Sequence, residues 1–285
     1  MNSDIKPDST VPSLFRSFIE PFEFDALYFC MELSYRASSA SITDRDASSR
    51  QRSGSLITLW WHYLKGPLVT FLPLALIFGS TNIDPAIARA LFYDPSAHSW
   101  IGAGVIWVEA LIHSGGRLLI GVLLSASLCI WMVARLNPQI SELRRPATYF
   151  SLSVILSIGC IALLKLLTNV HCPWSLEVFG GHYPYIELFS PRPQALKTGQ
   201  CFPAAHASCG YALLALFFVF RERSRRLART GIVVAILAGL LFGISQQSRG
   251  AHFLSHDVWS AFIVWAIAAS LYVFAFRARL WRDNI

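Results

Sequence analysis

Six stretches of this chain run for 17 to 19 residues without an aspartate, glutamate, lysine or arginine: Gly66–Ile83, Leu118–Ala134, Pro146–Leu164, Phe202–Phe220, Thr230–Ser248 and Val258–Phe276. About 20 apolar residues cross the hydrocarbon core of a bilayer as a helix. In lipid a helix satisfies its own backbone polar groups, so six such runs point to an all-α, polytopic membrane protein of six transmembrane helices. Only 14% of the 285 residues are charged, against about 25% in soluble domains, and 54% are apolar. These charges are too few to coat a soluble protein of this size. A further stretch, Ile101–Ile112, contains Glu109 and ends in His113-Ser-Gly-Gly. It is expected to be an interfacial or re-entrant helix.

Basic residues orient the spans, because lysine and arginine collect in cytoplasmic loops. With the N-terminus inside and six crossings, 18 of the 24 fall inside, including the cluster Arg221, Arg223, Arg225, Arg226 and Arg229. Both termini are therefore expected in the cytoplasm. The same asymmetry accounts for the net charge of +7 without a nucleic-acid partner. Residues 1–58 form a separate N-terminal segment, 59–277 the membrane domain and 278–285 a short cytoplasmic tail. Within the first, Leu14–Leu33 reads as an amphipathic surface helix or a short packing element, and Ser34–Ser55, rich in Ser, Asp and Arg, as disordered.

Three blocks meet on the outer face in this topology: Lys165 to Trp174, Cys201 to Ser208, and Gln246 to Asp257. Ionisable residues at span ends are costly in lipid and point to function. A transporter would carry such groups at the bilayer midplane, whereas all six spans lack Asp, Glu, Lys and Arg in their interiors. The inventory suits phosphoryl transfer. Lysine and arginine hold phosphate oxygens, one histidine attacks phosphorus, a second protonates the leaving alkoxide, and an aspartate orients the nucleophile's ring. No cofactor and no metal is required, and Lys165 with Arg249 would repel a cation.

These blocks resemble the type 2 phosphatidic acid phosphatase (PAP2) superfamily, in its bacterial membrane-bound branch. That family carries Lys-x6-Arg-Pro, then Pro-Ser-Gly-His, then Ser-Arg-x5-His-x3-Asp. Here the blocks read Lys165-x6-Cys172-Pro173, Pro203-Ala204-Ala205-His206 and Ser248-Arg249-x6-His256-Asp257. The resemblance implies a PAP2-like six-helix bundle in the bacterial inner membrane. It also implies a periplasmic site that hydrolyses a lipid phosphate or pyrophosphate through a phosphohistidine. Alternatives are a lipid phosphotransferase of the same chemistry, or an impaired relative with a binding role. His206 is the expected acid and Asp257 the orienting carboxylate. His252 is favoured as nucleophile over His256, with a one-residue insertion absorbed by a helical bulge before Asp257. Lys165 and Arg249 are the expected phosphate ligands. Cys172 stands where the family has arginine, and Arg192 or Lys197 could replace that ligand.

Cys172 and Cys201 are also the only cysteines in the outer loops, an oxidising environment, and are expected to form a disulfide across the loop between the first two blocks.

Overall fold

The computed structural model describes residues 45–105, 115–193, 196–276 and 280. The expected surface helix at Leu14–Leu33, most of Ile101–Ile112 and nearly all of the C-terminal tail lie outside the described residues. Two units divide after Ser55, and the bundle belongs to the second, Leu56–Ile285. Of the stretch Ser34–Ser55, the part from Arg45 onward has helical backbone.

Among the described residues, five helices are long and apolar enough to cross a membrane. They are α1 (Arg45–Gly79), α3 (Gly115–Leu136), α4 (Arg144–Leu167), α6 (Arg225–Ser248) and α7 (Leu254–Ser270, prolonged by a π turn at Leu271–Ala275). The short α2 (Ile83–Leu91) follows α1. The fourth expected span is different. It is α5, Ala205–Arg221, a 17-residue helix with a 3₁₀ step at Ala212–Leu214. At 1.5 Å per residue it is about 25 Å long, less than the roughly 30 Å hydrocarbon core. Its place in the bundle explains the length. Ala207, Tyr211, Leu213, Ala215 and Phe218 are all buried, and α3, α4, α6 and α7 pack around it. A helix walled in by others does not have to match the bilayer. The outer helices instead expose Val69, Leu118 and Leu237, each more than 60% accessible, the side chains expected to face lipid.

Packing is tight where glycine allows it. A Cβ on Gly210 of α5 would fall on the backbone of Ala238 and Gly239 of α6. Small residues let helix backbones approach this closely in membranes. Gly210→Val should therefore destabilise the bundle by roughly 2–3 kcal/mol, the upper part of the usual overpacking range, because backbone cannot swing aside. Unfolding in detergent at the native midpoint would contradict this crossing. Side-chain donors add specificity: buried Tyr149 Oη donates to the Ala268 carbonyl and half-buried Trp265 Nε1 to that of Tyr63, both at 2.9 Å.

Thr168 Oγ1, just after α4, donates to the Phe202 carbonyl at 2.6 Å, and Ala204 N–H, just before α5, to the His256 carbonyl at 3.4 Å. The end of α4 (Lys165), the start of α5 (His206), the end of α6 and the start of α7 thus share one end of the bundle. Arg221 and Arg225 lie at the other. The first end carries a cap that the run lengths do not foretell. It comprises α2, a two-residue hairpin pairing Tyr93 with Trp100, and 3₁₀ turns at Pro173–Ser175 and Glu177–Phe179. Ala88, Tyr93, Trp100, Leu176, Phe179 and Phe253 form its own small core.

Candidate active site

Hydrogen bonds draw the three sequence blocks together. After α4, Asn169 takes a left-handed conformation (φ 45°), which asparagine tolerates, and its side chain accepts from Gly199 N–H at 2.7 Å. Val170 then forms a bridge with Gln200, and Cys201 N–H donates to the Val170 carbonyl at 2.8 Å. Cys172 and Cys201 are joined by a disulfide, with Cα atoms 5.1 Å apart. The second block is tied to the third through Ala204 N–H, which donates to the His256 carbonyl at 3.4 Å. Ser260 Oγ reaches both the Ala204 and the His256 carbonyls, at 3.0 and 2.8 Å. Trp174 N–H donates to the Gly250 carbonyl at 2.9 Å, closing the first block onto the third.

Inside this frame His252 and His256 face each other, Nδ1 to Nδ1 at 3.3 Å, and only 4% and 2% of each is exposed. At that distance one ring must donate and the other accept, so the pair cannot be doubly protonated and intact. Burial holds the His252 imidazole well below its ordinary range, and His256, Lys165 and His206 beside it add to the effect. The sign of the linked stability follows. An unfolded histidine binds a proton near pH 6.5, which folded His252 refuses. Its contribution is full above about pH 6.5 and shrinks as the pH falls toward the lower folded value. The unfolding midpoint of the native chain should drop more between pH 7.5 and pH 5 than that of His252→Phe. Equal drops would show that His252 is not held neutral.

A small pocket of about 30 Å³ opens beside His256. His171, Arg192, Asp84, Tyr185 and His256 line it. Arg192 is steadied by the carbonyls of Leu188 and Ser190, to which Nη1 donates at 3.3 and 3.4 Å. Its charge, after burial, helps push His171 down. Lys165 and His206 thus lie near enough to His252 for their charges to act on its ring, and Arg192 lines the pocket beside His256. Of the two cations considered as replacements for the missing arginine, Arg192 lines the pocket and Lys197 does not. Arg249 caps the C-terminus of α6 and, like Lys165, His206 and His252, is not part of this pocket's wall.

Asp257 requires a correction. Its Oδ2 accepts from Gln247 Nε2 at 2.5 Å, and it packs against Gly243, where a Cβ would collide with the carboxylate. It does not orient a histidine. The reason is helical geometry: successive residues point about 100° apart, so His256 and Asp257 cannot share a face. Nor is there an insertion to absorb, since α7 is regular α-helix from Leu254. Three residues separate His252 from His256, the family's His-x3-Asp spacing, with a histidine in the carboxylate's place.

Asp84, the second residue of α2, escapes sequence reasoning altogether. Asp-Pro at the start of a short helix looks like ordinary capping. Yet Asp84 is 4% exposed, and burial raises its carboxyl to about 6. The nearby Tyr185 phenol is pushed up by burial and then by the Asp84 charge.

A helical bundle with five helices of spanning length among the described residues, and the three blocks at one end, is what a PAP2-type membrane protein would show. The PAP2 superfamily model matches residues 146–280, the region that holds all three blocks, and this match supports membership of that superfamily. The lipid A 4'-phosphatase of Francisella tularensis subsp. novicida (strain U112) is 24% identical over 225 residues, covering 74% of this chain and 96% of the relative. Family and relative together support a lipid phosphatase at the level of the family. No solved structure matches the chain.

Proposed function

We propose that the chain removes phosphate from an amphiphilic lipid at the periplasmic face of the bacterial inner membrane, through a phosphohistidine on His252. The observation that carries this is the convergence of Lys165, His206, His252, His256 and Arg192 at one end of the bundle. Neutral His256 accepts from His252 Nδ1–H, which leaves the Nε2 lone pair of His252 free to attack phosphorus. The phosphorus–oxygen bond to the lipid breaks, and His206 protonates the departing alkoxide. Water then attacks the phosphohistidine, with His206 taking its proton, and inorganic phosphate leaves. Lys165 and Arg192 stabilise the charge on the equatorial oxygens, where a preorganised cation acts most strongly. Positive charge at the site supplies this stabilisation, and the reaction is expected to persist in EDTA.

A site at the end of the bundle admits a phosphate headgroup while the acyl chains remain in lipid. The named activity of the relative makes a lipid A phosphate the first substrate to assay, ahead of phosphatidate, phosphatidylglycerol phosphate and undecaprenyl pyrophosphate. Phosphate release by the purified protein in detergent, across that panel and with His206→Ala as control, tests the proposal. Release from no lipid, or equal release by the control, would refute it.

A further inference from the structure

The helix that carries His256 has no cap of its own. Phe253, at its N-cap, offers no side-chain acceptor, and Ser255 N–H is one of the orphan donors of the first turn. That amide points instead to Asp84 Oδ1, at 3.2 Å, across 171 residues of sequence. Asp84 is buried, sits on the separate helix α2, and lines the same pocket as Arg192 and His256. The residue it grips is adjacent to His256 and three beyond His252. A carboxylate near a helix N-terminus also meets the positive end of the helix dipole.

We propose that Asp84 is a positioning residue, a remote cap that fixes the first turn of α7 and thereby the contact between His252 and His256. The inference rests on the phosphatase reading for its kinetic consequence, but the cap itself does not. It predicts a division of labour in the outer cap: Arg192 meets the phosphate, and Asp84 holds the histidine pair in line. The acceptor oxygen matters more than the charge, so asparagine should serve nearly as well as aspartate.

The test compares native protein, Asp84→Ala and Asp84→Asn in detergent, by lipid phosphate hydrolysis and by hydrogen–deuterium exchange of peptides spanning residues 252–258. In Asp84→Ala, kcat should fall about tenfold to a hundredfold with KM within about twofold, as expected for misplacement of reacting groups. Exchange at 252–258 should quicken by on the order of tenfold, reflecting the loss of a hydrogen bond to a charged acceptor. Asp84→Asn should restore both. Native kcat and exchange in Asp84→Ala would overturn the proposal. So would a fall in kcat with native exchange, or an Asp84→Asn variant as impaired as Asp84→Ala. If the native protein hydrolyses no lipid phosphate while exchange still quickens in Asp84→Ala alone, the functional reading fails and the cap stands.

Discussion

His252→Ala should reduce turnover on the order of 10⁴- to 10⁶-fold, as removal of a covalent nucleophile does elsewhere. His256→Ala should be less damaging, about 10²- to 10⁴-fold, the range seen when the group orienting a catalytic imidazole is lost. The expectation comes from geometry. His252 and His256 lie Nδ1 to Nδ1, and in the proposed mechanism His256 accepts the hydrogen bond that His252 Nδ1–H donates. His256→Asp would return a carboxylate to the family spacing and should recover much of the activity lost in His256→Ala. A rapid-quench experiment with labelled substrate gives the second readout. The native protein and His256→Asp should trap an acid-labile, alkali-stable phosphoenzyme, and His252→Ala should trap none. An active His252→Ala beside an inactive His256→Ala would reverse the two roles.

Loss of the Cys172–Cys201 bridge should have the next largest effect. The bond closes a loop over a sequence separation of 29, worth about 3–4 kcal/mol in the chain-entropy account. Its ends also adjoin the Val170–Gln200 bridge and the start of the second block, which carries His206. Cys172→Ser/Cys201→Ser should unfold at a lower temperature by an amount matching those few kcal/mol. It should also lose about tenfold or more in kcat, because small displacements of reacting groups are costly. Alkylation of both thiols in intact cells before any reductant is added would show that no bridge forms there. Native stability of the double variant would show that the bridge does not brace the site.

Much of this protein was legible in sequence because the bilayer is an unforgiving solvent. Uncharged runs of span length leave helices as the natural solution, and alternating helix direction brings the ends holding Lys165, His206 and the His252 block to one side. The cysteine pair was legible for a related reason: the outer loops contain no other candidates. What remained hidden depends on angle and on distant contacts. Whether His256 or Asp257 faces His252 is a matter of about 100° around a helix, and spacing written with one ambiguous residue does not resolve it. Only the folded α7 shows Asp257 turned to Gln247 and His256 to His252. The central position of α5 depends on Gly210 meeting Gly239, a contact between two helices that their apolar runs do not distinguish from any other. Arg192 and Asp84 reach one pocket from loops and a short helix far apart in the chain. Local pattern determines which segments cross the membrane; packing between segments decides which side chains meet once they have crossed.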